Sequence, residues 1–283
     1  VVYKKNKIMQ TKISFFILLS LFVFTSCQDV IDLDVPDGEV QLVVDGWLTN
    51  QVGEKQVLLA TTANYFENTE PPRVTGALVI LNNENGAVDT LEEKEAGVYV
   101  TTHVGVIGEV YHIYIRTAAG EEYRSNPETL RSVPAISAIY ATFKEETVFE
   151  DEGYYVSIDT EEPLGVGDYY RWKQYVNEEY LNEPFDLLYA SDEFVDGNPI
   201  IGFEVTIDPL ALGDHYRIQQ MSISKQAYEF FFQLQNQTAY IGSLFDSPPA
   251  ALKGNIVNVD PAGKKALGYF GVSAVSEKEM VIE

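Results

Sequence analysis

From residue 40 onward, hydrophobic and polar residues alternate in short runs separated by turn-forming residues, the period-2 signature of half-buried strands. Val40-Gln-Leu-Val-Val-Asp-Gly-Trp-Leu48 predicts a first strand and Lys55 to Thr61 a second. Gly76-Ala-Leu-Val-Ile-Leu81 leads into Asn82-Asn-Glu-Asn-Gly86, whose Asn-Gly pair suits a turn with positive φ. Strands follow at Gly97 to His103, Glu109 to Thr117 and Glu122 to Ser125, and a spacing of about ten residues fits a small sandwich. Pro127 to Pro134 reads as a connection. Beyond it the pattern resumes at Ile136 to Lys144, Gly153 to Asp159, Asp168 to Val176, Gly202 to Ile207 and Asp214 to Ser222, with Gly254 to Val257 and Leu267 to Ala274 as closing strands. One helix is expected at about 224–241: Ser224 can cap it, Ala227, Phe231, Leu234, Thr238 and Ile241 share a face, and Pro248-Pro249 bars continuation. The expected fold is mainly β, with one β-sandwich over 40–130 and a second over 134–283 that carries the helix.

A different pattern precedes residue 40. Lys4, Lys5, Lys7 and Lys12 make a cationic start, and Ile13 to Phe24 form an apolar stretch interrupted by two serines. As a helix this stretch covers roughly 18 Å, short of a ~30 Å hydrocarbon core, so residues 1–26 are expected to be a secretory signal peptide. Met9 is read as the initiator, with Val1 to Ile8 an upstream extension. Cys27, the only cysteine of the chain, directly follows the small residues Thr25 and Ser26. A thiol placed there is what a diacylglyceryl transferase needs, so Cys27 is the expected lipid attachment site and 27–39 a lipidated linker. The alternative is an unmodified thiol near the end of a signal peptide. Two acyl chains, at about 0.8 kcal/mol per buried methylene, would hold the body on a membrane essentially permanently.

Charge narrows the partners. The formal net charge is −24, and removing the four lysines of the leader takes the remaining chain to −28. A body this acidic repels nucleic acid and anionic headgroups, so the anchor rather than the surface is expected to do the membrane work. With no second cysteine, stability has to come from the core.

Candidate chemistry is sparse. The three histidines are His103, His112 and His215; the first two fall in or at the end of expected strands and read as sheet residues. The sequence has no His-Glu-x-x-His, Gly-x-Ser-x-Gly, Walker loop or dinucleotide fingerprint. Acids are abundant, but a glycosidase needs two of them held across a cleft, and nothing in the pattern marks one as buried. Glu145-Glu146, Phe149 to Gly153 and Ser191 to Asn198 are acidic runs that could collect a hard cation. In the last run Asp192, Asp196 and Asn198 are the calcium candidates, although it lacks the spacing and terminal Glu of an EF-hand loop and reads first as a solvated acidic loop. Trp47 and Trp172 lie inside alternating strands and are expected in the cores. Tyr65-Phe66, in a loop ahead of Pro71-Pro72, is the candidate contact with a partner or ligand. No cofactor is expected.

Leu42-Val-Val-Asp-Gly-Trp-Leu48, Gly76-Ala-Leu-Val79, Tyr123-Arg-Ser125, Ser222 to Phe230, Pro248-Pro-Ala250, Gly254-Asn-Ile256 and Leu267-Gly-Tyr-Phe270 together resemble domain-of-unknown-function family 4249. The resemblance implies an outer-membrane lipoprotein of Gram-negative bacteria associated with starch-utilisation-type TonB-dependent transporters, and it carries no established activity. The first half is similar to transthyretin/Ig-like modules and the second to a fibronectin-like sandwich with an inserted helix. Asp29, Asp32 and Asp34, just past the cysteine, resemble a surface-export signal, which implies a body facing outward. The expectation is a non-catalytic binding or accessory module working with such a transporter. A surface-anchored hydrolase of glycan or peptide and a structural or adhesive surface protein are the alternatives.

Overall fold

In β1 (Leu42–Thr49) every second residue is buried, Leu42, Val44, Gly46 and Leu48, so the alternation in the sequence is that of the two faces of a strand. The computed structural model describes residues 39–63, 70–239 and 251–283. The expected signal peptide, the linker as far as Gly38, Tyr65, Phe66, Ile241, Pro248 and Pro249 lie outside the described residues.

After β1 come β2 (Lys55–Thr61), β3 (Leu78–Asn83), β4 (Gly86–Thr90), β5 (Glu92–Glu95), β6 (Val98–Thr101), β7 (Val110–Arg116), β8 (Glu122–Ser125) and β9 (Glu128–Thr129). Then follow β10 (Ile136–Lys144), β11 (Gly153–Glu161), β12 (Tyr169–Val176), β13 (Glu179–Tyr180), β14 (Leu188–Ser191), β15 (Pro199–Glu204) and β16 (His215–Ile223). The helix α1 (Lys225–Thr238) precedes β17 (Ile256–Asn258), β18 (Ala266–Ser273) and β19 (Val275–Val281).

Four sheets make two sandwiches. In the first, a sheet of order β18-β1-β2-β6-β5 faces one of order β17-β8-β7-β3-β4, with β9 paired to β7. Leu42, Val44 and Phe270 from one sheet meet Val79, Ile113 and Ile256 from the other in a single core. At roughly 1.5–3 kcal/mol for each fully buried apolar side chain, such an interior can hold a sandwich without disulfides. Buried tyrosines keep their hydroxyls bonded: Tyr99 accepts from the Ala77 N–H at 2.9 Å and donates to the Val74 carbonyl at 3.1 Å. In the second sandwich β10-β11-β15 faces a sheet in which β12 pairs with β16 on one edge, β13 and β14 share its other edge, and β19 closes the far side. Val156, Ile158, Trp172, Tyr216 and Ile218 fill the space between.

The two sandwiches do not divide the chain at 130/134 as the sequence suggests. β18 pairs in parallel with β1, from Leu42 opposite Ala266 to Thr49 opposite Ser273, and β17 pairs antiparallel with β8. Both strands belong to the first sandwich. A parallel pair cannot be closed by a tight turn and requires a long crossover; here that crossover contains nearly the whole second sandwich. Gly268 makes the pairing possible, because its φ is +94° and a Cβ there would stand 1.9 Å from the Val44 carbonyl oxygen. The chain then passes from β18 to β19 through Ala274, whose N–H donates to Ser222 Oγ at 3.1 Å.

α1 ends at Thr238 and is capped as expected, with Ser224 Oγ accepting from the Ala227 N–H at 3.1 Å. Ala227, Phe230 and Phe231 are buried against Tyr269, Ile223, Trp47, Tyr169 and Tyr189, a third cluster that fills the corner between the sandwiches. Thr238 is exposed and bonds back to the Leu234 carbonyl at 3.0 Å instead of joining that face. Trp47 corrects a second expectation. Trp172 is a core residue, but Trp47 points out of the first sandwich and is half-buried under α1. Period 2 puts Trp47 opposite Leu48, and Leu48 has the core side. Beside these rings Tyr269 donates its hydroxyl to the buried Glu128 carboxylate and lies 3.1 Å from Ser224 Oγ, so one polar network joins β9, β18 and the helix cap.

Candidate functional site

Three loops of the second sandwich bring carboxylates together. β11 ends just before Glu162, β12 begins just after Asp168, and Asp192 directly follows β14. Backbone bonds set the loops side by side: the Asp192 N–H donates to the Asp168 carbonyl at 3.0 Å, Glu162 N–H to the Asn198 carbonyl at 3.1 Å, and Gly197 N–H to the Pro163 carbonyl at 3.2 Å. Glu162, Asp168 and Asp192 then each offer an oxygen within 4.8 Å of the other two. Glu162 is only 3% exposed and Asp192 2%.

Glu162 and Asp192 each have a donor, but one Glu162 oxygen is left over. Tyr170 donates its hydroxyl to Glu162 Oε1 at 2.8 Å, and the Gly167 N–H points at both Asp192 oxygens, at 2.8 and 3.1 Å. Glu162 Oε2 is buried and has no hydrogen-bond partner. Burial, foremost, raises the Glu162 carboxyl above its ordinary range; the Tyr170 bond opposes this and the charges of Asp168, Asp192 and Asp196 add to it. Asp168 is raised too, by burial and then by Asp192, with Arg131 pulling the other way. Tyr170 is driven strongly upward by burial and by its carboxylate neighbour, so it stays a hydroxyl donor. Behind Glu162 lies a cavity of about 140 Å³ lined by Tyr170, Trp172, Val195, Phe203 and Gln220 among others. The arrangement suits a ligand that brings positive charge.

A family model described as a domain of unknown function, DUF4249, matches residues 28–279. The chain belongs to the DUF4249 family. No curated protein matches it.

In this DUF4249 protein, Asp192 of the acidic run sits in the carboxylate group. Asp196 lies beside it, with Oδ1 accepting from the Gly165 N–H at 2.6 Å. Asn198 is not brought in: its amide donates to the Asp196 carbonyl at 3.0 Å, and its own carbonyl serves Glu162. Glu162 and Asp168 are the members the sequence reading missed. Their one local signal is a pair of acids flanking a Pro/Gly loop, Glu162-Pro-Leu-Gly-Val-Gly-Asp168, and nothing local ties that loop to residues 191–198. Cys27, Asp29, Asp32, Asp34, Tyr65 and Phe66 are among the residues not described. His112 lies in β7, as expected, and His103 follows β6 and stands edge-on to Tyr111.

A second cluster of charge sits on the outer face of β12. Arg171 lies 4.4 Å from the Phe231 ring and donates to the Tyr180 hydroxyl at 2.7 Å, and Lys173 Nζ stands 4.5 Å from the Tyr180 ring. Arg217 covers Tyr175 at 3.8 Å and pairs with Glu277. Burial, aided by Arg171 and Arg217 and opposed by Asp45, pulls Lys173 down to about 8.

Proposed function

We propose that this DUF4249 protein is an outer-membrane lipoprotein, anchored through Cys27, whose two-sandwich body is a non-catalytic binding or accessory module of a TonB-dependent nutrient transporter. The observation that carries the anchor is the placement of the one cysteine after a cationic and apolar leader. β1 begins fifteen residues beyond it, and such a tether reaches at most roughly 50 Å when extended. The body would therefore stay close to the membrane, held by lipid and not by its acidic surface.

What supports a binding role is the exposure of large apolar side chains at loop tips. Leu164 and Phe194, on the two loops joined at the carboxylates, are 91% and 90% exposed. Val148 and Phe149 project equally at the β10–β11 turn. Exposed apolar residues mark a contact surface when they gather in one patch, and Leu164 and Phe194 stand on loops bonded side by side. The transporter as partner, and the outward direction through Asp29, Asp32 and Asp34, rest on the family resemblance. Purification of the native protein from outer membranes in mild detergent tests the reading: a β-barrel transporter should co-purify in stoichiometric amount, and Cys27→Ser should move the protein to the soluble fraction. A wild-type protein found without lipid on Cys27, or without any barrel, would end it.

A further inference from the structure

A buried carboxylate oxygen with no donor is costly, and Glu162 Oε2 is such an atom in a group of three acids. No ion pair to Glu162, Asp168 or Asp192 occurs among the described residues. The donors present, the Tyr170 hydroxyl and the Gly167 N–H, aim at carboxylate oxygens and suit ionised acids. We propose that Glu162, Asp168 and Asp192 bind a hard divalent cation, calcium by size, which ties the 162–168 loop to the 192–198 loop.

The spacing fits that ion. Oxygens within 4.8 Å of one another are close enough that a shift of a few tenths of an ångström at most brings all three to the ~2.3–2.6 Å distance of calcium from an ion among them. Magnesium demands a tighter shell at about 2.0–2.1 Å and gives up its waters reluctantly. The remaining calcium positions go to water or to Asp196, whose charge already acts on Glu162 and Asp168. An ion here clamps three separate pieces of chain, the end of β11, the start of β12 and the end of β14, and fixes the stalks on which Leu164, Val166 and Phe194 project. Three carboxylates and few other protein ligands place the affinity in the range of extracellular modules, about 10⁻⁴–10⁻³ M. The rival account is a proton shared among the acids, with no metal.

The test uses the full chain in detergent after EDTA treatment, with Tb³⁺ as a luminescent calcium probe. Tyr170 is bonded to Glu162 and Trp172 lies close by, so excitation of the aromatics should sensitise bound Tb³⁺, and Ca²⁺ should displace it. About 10 mM Ca²⁺ should raise Tm by roughly 3–6 °C, with magnesium well behind. Glu162→Gln and Asp192→Asn should each weaken binding at least tenfold, while Glu193→Gln, an exposed acid on the same loop, should change nothing. Circular dichroism checks that each variant folds, and Asp168→Asn at the half-buried position stands in for any that does not. Overturning results are the absence of sensitised emission, a Tm rise no larger than sodium chloride of equal ionic strength gives, or equal loss in Glu193→Gln, which would mean diffuse counter-ions.

Discussion

Trp47 on the outer face of β1 and Phe231 on α1 are stacked, with ring centroids 5.8 Å apart and planes 16° apart. Tyr269 extends the stack at 6.0 Å, and Arg171 lies 5.8 Å from the indole. The indole fits because Gly271 lies beneath it; a Cβ there would come within 2.2 Å of the ring. Phe231→Ala should lower stability by about 3–5 kcal/mol, as expected for a buried phenylalanine. Gly271→Ala should displace the indole and red-shift its fluorescence, read in a Trp172→Phe background so that Trp47 is the sole emitter. Unchanged emission from Gly271→Ala would show that the indole does not depend on this glycine.

The parallel pairing of β1 with β18 makes residues 39–133 an incomplete sandwich. Expressed alone, that segment should lack the dispersed amide spectrum and cooperative melt of a folded domain, because its β1 and β8 edges and the core positions of Ile256, Phe270 and Val272 would be open. Adding a peptide of residues 251–274 should restore the spectrum. A cooperative melt of 39–133 without the peptide would contradict this account.

Glu128 should give the first sandwich a pH dependence of definite sign. Burial raises its carboxyl above the ordinary range, against hydrogen bonds from Tyr269, Ser224 and Asn255 and the charge of Arg131; Glu229 acts on Tyr269 from the helix. With the folded value raised, the native state holds the proton more tightly than the unfolded chain. The contribution is intact below the unfolded value of about 4.3 and is lost as pH rises through the folded one. Glu128→Gln, which carries no such charge, should therefore gain stability relative to wild type between mildly acid and neutral pH. Urea melts at both ends of that interval measure the difference, and a variant that loses ground would reverse the assignment.

Lys173 should titrate near neutrality. Its value of about 8 lies well below the ~10.4 of a free lysine, so close to half of it is neutral at a pH where ordinary lysines are almost wholly charged. After reductive methylation with ¹³C, one dimethyl-lysine resonance should titrate near that pH and vanish in Lys173→Arg. Asp45→Asn should move it lower still, because Asp45 opposes the shift. A full set of resonances titrating together at high pH would refute the burial of this amine.

Much of the local structure could be read directly from residue order. The β1 alternation, the Ser224 cap and the β10, β11, β12 and β16 segments appear within a residue or two of their expected places, because period 2 and capping are properties of adjacent residues. β19 was not foreseen: Val275-Ser-Glu-Lys-Glu-Met-Val281 is mostly polar and becomes a strand by pairing with β16. Two short motifs show the same limit. Tyr123-Arg-Ser125 and Gly254-Asn-Ile256 read as separate islands, yet Ile256 pairs with Ser125, a contact across 131 residues of chain.

By itself, then, the sequence determined which side chains share a face, where the helix starts, and that a body with one cysteine must be held by its core. Only the tertiary structure decided what covers each face. Alternation puts Trp47 and Leu48 on opposite sides but cannot say which side α1 will cover. Likewise Glu162, Asp168 and Asp192 became a single site only when pairing of distant strands set their loops together, because sheet pairing is non-local and carries no mark in any one segment.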